Sequence, residues 1–162
     1  MKYIAILLLL VLFSCKNQKD MTNEKPQIGT ILYDYHDSSV PPQYHRSYSL
    51  LVTSDSIAIK VDSYGTILTD TAVLITKEQF SEIVDTYTSL AFKQVTKRES
   101  DGCVGGTGAS VKVWDINDSV LIDGNIYFCG GEEYGTLQGD VKLLAQKIKS
   151  FIPDFDTMLK RE

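Results

Sequence analysis

From Gly29 onward the chain alternates apolar and polar residues with a period of two. The run GTILYDYH sets Ile31, Tyr33 and Tyr35 against Leu32, Asp34 and His36, as a half-buried β-strand requires. Alternation resumes in YHRSYSLLV after the connection SSVPPQ, where Pro41 and Pro42 exclude a strand. SIAIKV follows a turn at Ser54-Asp55, and TILTDTAVLI follows Gly65. Four strands with short connections predict an antiparallel meander.

The period then lengthens. Thr76 and Gln79 have the spacing of a capping box, and Phe80, Ile83, Val84 and Tyr87 share one helical face, so a helix is predicted to end near Leu90. SVKVWDI and SVLIDGNIYF return to strand character on either side of Asn117-Asp118, a pair that tolerates the positive φ of a tight hairpin. A last helix is predicted from Asp140. Val141, Leu144 and Ile148 continue into Phe151 or Ile152 as its apolar stripe, Lys147 and Lys149 favour its negative end, and Pro153 stops it. The order ββββαββα predicts an α+β domain: an antiparallel β-sheet of about six strands with two helices on one face. A closed barrel is the alternative architecture.

The amino terminus has a different pattern. MKYIAILLLLVLFSC begins with Lys2, continues apolar from Tyr3 to Phe13, and reaches Ser14 and Cys15. The apolar run is shorter than the roughly 20 residues that span a bilayer and has the form of an export signal. Leu12-Phe13-Ser14-Cys15 resembles the lipobox of bacterial lipoproteins, with Phe13 departing from the smaller residue usual at its place. The resemblance covers residues 1–15 alone. It implies that residues 1–14 are removed, that Cys15 is acylated, and that the protein is held on the cell envelope, on the outer membrane in preference to the inner. Residues 15–27, CKNQKDMTNEKPQ, are then a polar tether, and residues 28–162 form a single domain.

Charge narrows the partners. The formal net charge is −5, and losing Lys2 with the signal makes it one unit more negative. Such a chain has no electrostatic attraction for nucleic acid.

Two cysteines remain besides Cys15. An oxidising compartment favours a disulfide between Cys103 and Cys129. A hairpin folded about residues 117 and 118 leaves the two only three positions out of register, a shift the surrounding glycines can absorb. Such a bridge contributes roughly 3–4 kcal/mol by the chain-entropy argument. The other uses of these thiols lack their partners. There is no CxxC at a helix start, no zinc-ligand spacing, and the segment after Gly105-Gly106-Thr107-Gly108 is a strand where a phosphate loop needs a helix.

Candidate chemistry is sparse. His36 and His45 flank the first loop, and with Asp37 they are the weak candidates for a metal site; the alternative is a solvated hairpin rim. No G-x-S-x-G elbow is present, and adjacent acids such as Glu132 and Glu133 read as solvated. The sequence implies neither an enzyme nor a cofactor. Tyr33, Tyr35, Tyr44 and Tyr48 crowd the first hairpin with Arg46, residue types enriched at binding hot spots. A second candidate surface is Glu132, Glu133 and Tyr134, expected on a loop after Cys129 and suited to a basic protein partner. The expected function is a membrane-anchored, non-catalytic binding or inhibitory module. An accessory subunit of an envelope assembly is the alternative, with a metal-dependent hydrolase behind both.

Overall fold

The computed structural model describes residues 27–160, so the apolar run expected to be an export signal, Cys15 and most of the expected tether lie outside the described residues. The elements are β1 (Ile28–His36), β2 (Ser47–Val52), β3 (Ser56–Ser63), β4 (Thr66–Leu74), α1 (Lys77–Ser89), β5 (Lys93–Arg98), β6 (Thr107–Asp115), β7 (Val120–Cys129), β8 (Glu132–Gln138), α2 (Val141–Lys149) and α3 (Phe155–Met158). All eight strands join one antiparallel sheet in the order β4-β3-β2-β1-β6-β7-β8-β5. The α+β class and the four-strand meander agree with the sequence. The strand count does not: the described residues form eight strands, with a third, four-residue helix. Nor is the sheet a barrel, because it ends openly at β4 and β5.

Both additional strands lack an apolar alternation. β5 reads KQVTKR and is exposed at every position. β8 reads EEYGTLQ and buries only Gly135 and Leu137. Each forms because a neighbouring ladder presents unsatisfied backbone groups, a tertiary cause with no local signature.

One face of the sheet carries the core. Ile31 and Tyr33 of β1, Leu50 and Val52 of β2, and Ile57, Ile59 and Val61 of β3 meet Val111 and Val113 of β6 on the same side. Ile83 of α1, with Val141, Leu144 and Ile148 of α2, closes this side. Fully burying an aliphatic side chain of this size stabilises by about 1.5–3 kcal/mol. The helices start where the sequence indicates. Thr76 accepts the Gln79 N–H while the Gln79 side chain accepts the Thr76 N–H, and Asp140 caps α2 by accepting from the Leu143 N–H. Among the described residues no helix is long and apolar enough to cross a membrane.

The opposite face is a polar ladder. Asp34 accepts hydrogen bonds from Ser49 on one neighbouring strand and Ser110 on the other. Lys112 pairs with Asp123 and lies over the Trp114 ring.

A disulfide joins Cys103 and Cys129. The β6–β7 hairpin has the register expected from a turn at residues 117 and 118, from Val113 opposite Ile122 to Thr107 opposite Phe128. Cys103 precedes β6 and reaches back to the end of β7. Gly106 permits this approach, since a Cβ there would overlap the Phe128 carbonyl oxygen. Beyond the bridge, Gly130 and Gly131, both at positive φ, turn the chain directly into β8.

Replacing both bridge cysteines by alanine should lower stability by about 3 kcal/mol, read as a drop in thermal midpoint against the oxidised protein. The wild-type thiols should resist alkylation until reduced; two freely alkylated thiols in exported protein would contradict the bridge.

Candidate functional site

A concavity lies between α2 and the sheet, at the end where β1 and β7 finish and β2 and β6 begin. Its volume is about 450 Å³, within the range of small-molecule sites. The sheet supplies Tyr33, Tyr35, Tyr48, Ala109 and Phe128, and α2 supplies Lys142, Ala145, Gln146 and Lys149. Arg46, Asp37 and Leu159 stand at one end.

The register explains the aromatic wall. Tyr35 lies opposite Tyr48 across β1 and β2, and their rings stack with centroids 5.0 Å apart. Tyr33 lies on the same face, its ring 6.1 Å from Tyr48. Phe155 of α3 meets Tyr48 edge-on at 5.1 Å. Burial pushes the hydroxyl pKa of Tyr33 and Tyr48 upward; Tyr48 and Tyr35 add to the rise at Tyr33, while at Tyr48 the charge of Tyr35 adds and the hydrogen bond with Tyr33 opposes, leaving Tyr48 at about 12. Both therefore remain neutral hydrogen-bonding groups far above neutral pH, unsuited to proton transfer there.

The helical period explains the cations. Lys142 and Lys149 are seven residues apart, two turns, so they project from one side of α2 with Ala145 between them. Lys142 lies 4.4 Å from the Phe128 ring centroid and Lys149 5.9 Å from that of Tyr48. The Arg46 guanidinium donates to the carbonyls of His45 (2.7 Å) and Lys160 (3.1 Å), pinning the end of the chain. No salt bridge engages Arg46, Lys142 or Lys149 among the described residues. The Asp37 carboxylate instead organises its loop, accepting the backbone N–H groups of Ser38 and Arg46, both at 2.9 Å, and receiving the Tyr35 hydroxyl at 3.4 Å.

Of the residues singled out from sequence, Arg46 and the first-hairpin tyrosines Tyr33, Tyr35 and Tyr48 come together here, whereas Tyr44 points outward from its loop, 43% exposed. Glu132, Glu133 and Tyr134 occupy β8, where a loop was expected. Glu132 is paired with Arg98, whose guanidinium also covers the Tyr134 ring at 4.9 Å. Glu133 borders a shallower hollow beside Phe128 and Lys142.

His36 packs over Gly108 at the end of β1. His45 is buried, stacked 4.0 Å from Tyr64 with its Nε2 at 3.3 Å from Ser47 Oγ, and its Nδ1 has no hydrogen-bond partner among the described residues. Among the described residues no group of three His, Cys, Asp or Glu is placed to hold a metal ion. Sequence reasoning missed Phe128 and the α2 residues of the cleft. The seven-residue spacing of Lys142 and Lys149 around Ala145 was the available signal.

The raised Tyr48 hydroxyl has a measurable consequence. Its pKa is 10.0 in ordinary surroundings and about 12 in the fold, so the protonated hydroxyl contributes stability fully below pH 10. That contribution, roughly 2–3 kcal/mol, is lost as pH rises from about 10 through 12. Unfolding by denaturant across this window should show the decline, and Tyr48→Phe should make it shallower, the raised Tyr33 hydroxyl accounting for what remains.

Comparison with family models, curated proteins and solved structures finds no match to this chain, which leaves the chemistry of the cleft itself as the guide to function.

Proposed function

We propose that this chain is a lipid-anchored, non-catalytic binding or inhibitory module of the bacterial cell envelope. The cleft under α2 carries the reading. Its aromatic rings and cations are groups that form contacts, and its raised tyrosine hydroxyls remain neutral donors where an acid–base catalyst must exchange protons near its working pH. The lipobox-like Leu12-Phe13-Ser14-Cys15 supports the anchor, and the disulfide suits an oxidising compartment.

One observation favours the second reading, an accessory subunit of an envelope assembly. β4 is an open sheet edge nine residues long, with a single charge at Asp70 and with Ile67 and Leu74 49% and 87% exposed. Edges of this kind accept a further strand.

Two measurements test the proposal. Metabolic labelling with a fatty acid should mark the wild type and not Cys15→Ser; label retained by the variant would remove the anchor. Crosslinked capture from native envelopes should lose its specific component when Ala145→Leu fills the cleft, while the domain still melts cooperatively. Capture that is indifferent to the cleft and abolished by a lysine placed in β4, as in Thr71→Lys, would favour the accessory role.

A further inference from the structure

We infer that the cleft between α2 and the sheet binds a small organic anion with an aromatic body and a carboxylate head. The inference rests on the binding-module reading and deepens it by naming the class of ligand.

Space comes first. Ala109 and Ala145 occupy core-facing positions whose companions in the same stripes are Val111, Val113, Leu144 and Ile148. Two methyl groups stand where branched side chains complete the rest of the core, and the cleft is the volume they leave. The surfaces bounding it are flat: the stacked pair Tyr35 and Tyr48 on one part, Phe128 on another. Planar rings pack best against a planar guest.

Charge selects among planar guests. The whole chain is acidic at −5, so composition does not account for three cations around one cleft that have no carboxylate partner among the described residues. The one acid of the lining, Asp37, is occupied by two backbone N–H groups and the Tyr35 hydroxyl. Lys142 and Lys149 rest on ring faces, about 10 Å apart along the helix. An aromatic acid replaces both halves of such a contact, its carboxylate taking the ammonium and its ring taking the ring face. A neutral aromatic gains only the second half, and an aromatic ammonium is repelled.

The test uses the full chain purified from membranes in non-ionic detergent, with heats of injection into detergent alone subtracted. Calorimetric titration compares three probes of one shape: 2-naphthoate, 2-naphthylmethanol and 2-naphthylmethylammonium. Naphthoate should bind saturably, the alcohol roughly tenfold more weakly and the ammonium more weakly still. Lys142→Gln with Lys149→Gln should reduce naphthoate affinity by a similar factor and leave the alcohol unchanged. Ala145→Leu should abolish naphthoate binding with an unchanged or higher melting temperature, and Ala109→Val serves as the second cleft-filling variant should the first not fold. No naphthoate binding, equal binding of the three probes, or naphthoate affinity indifferent to both filling variants would each overturn the inference. A chain that ignores naphthoate yet captures an envelope component only while the cleft is open overturns the anion assignment alone. If neither depends on the cleft, the binding-module reading falls with it.

Discussion

The pairing of β1 with β6 is the contact on which the rest of the molecule depends. The strands lie far apart in sequence, yet their ladder runs from Ile28 opposite Asp115 to His36 opposite Gly108 and joins the meander of the first half to the hairpins of the second. Each face of the seam is specified differently. Inside, Ile31 meets Val113 and Tyr33 meets Val111, so a slip of one residue would drive these side chains into solvent. Outside, Asp34 bridges Ser49 and Ser110, tying three strands through one carboxylate. The cleft straddles this seam, taking Tyr33 and Tyr35 from one strand and Ala109 from the other.

What could be read from the sequence followed the source of each element's stability. β1 to β3, β6 and β7 bury one face, and their alternation carried the information, whereas β4 buries no residue and was marked by its β-rich run after Gly65. α1 and α2 have side-chain caps, and Thr76, Gln79 and Asp140 marked their starts. β5 and β8 have no such local cause. β5 carries Lys93, Lys97 and Arg98 and is exposed at every position, and Gly135 falls where a strand disfavours glycine; only the waiting edge of β7 makes β8 a strand, and only β8 makes β5 one. The same limit applies to the site. The tyrosine cluster and Arg46 were visible because they crowd one hairpin, while Phe128, Lys142 and Lys149 become their neighbours only when α2 folds back across the sheet.

The disulfide belongs to the same region. It fixes the segment leading into Thr107 against the end of β7, beside Phe128, and both residues line the cleft. The covalent link therefore fixes the sheet side of the cleft at its rim as well as restricting the unfolded chain. At the other end, Arg46 grips the Lys160 carbonyl and keeps Leu159 in place. The cleft is thus bounded at one end by a covalent tie and at the other by a guanidinium.

The two borders of the sheet are unlike, and this asymmetry limits any association through them. β5 is short, carries Lys93, Lys97 and Arg98, and is interrupted by a register shift, all of which discourage an added strand. β4 is long and nearly uncharged. If two copies were to meet through β4, antiparallel pairing about a twofold axis would use up both receptive borders and leave only the cationic ones outside. Such growth is self-terminating: it stops at a closed pair with a continuous sixteen-stranded sheet and has no geometry for a fibre.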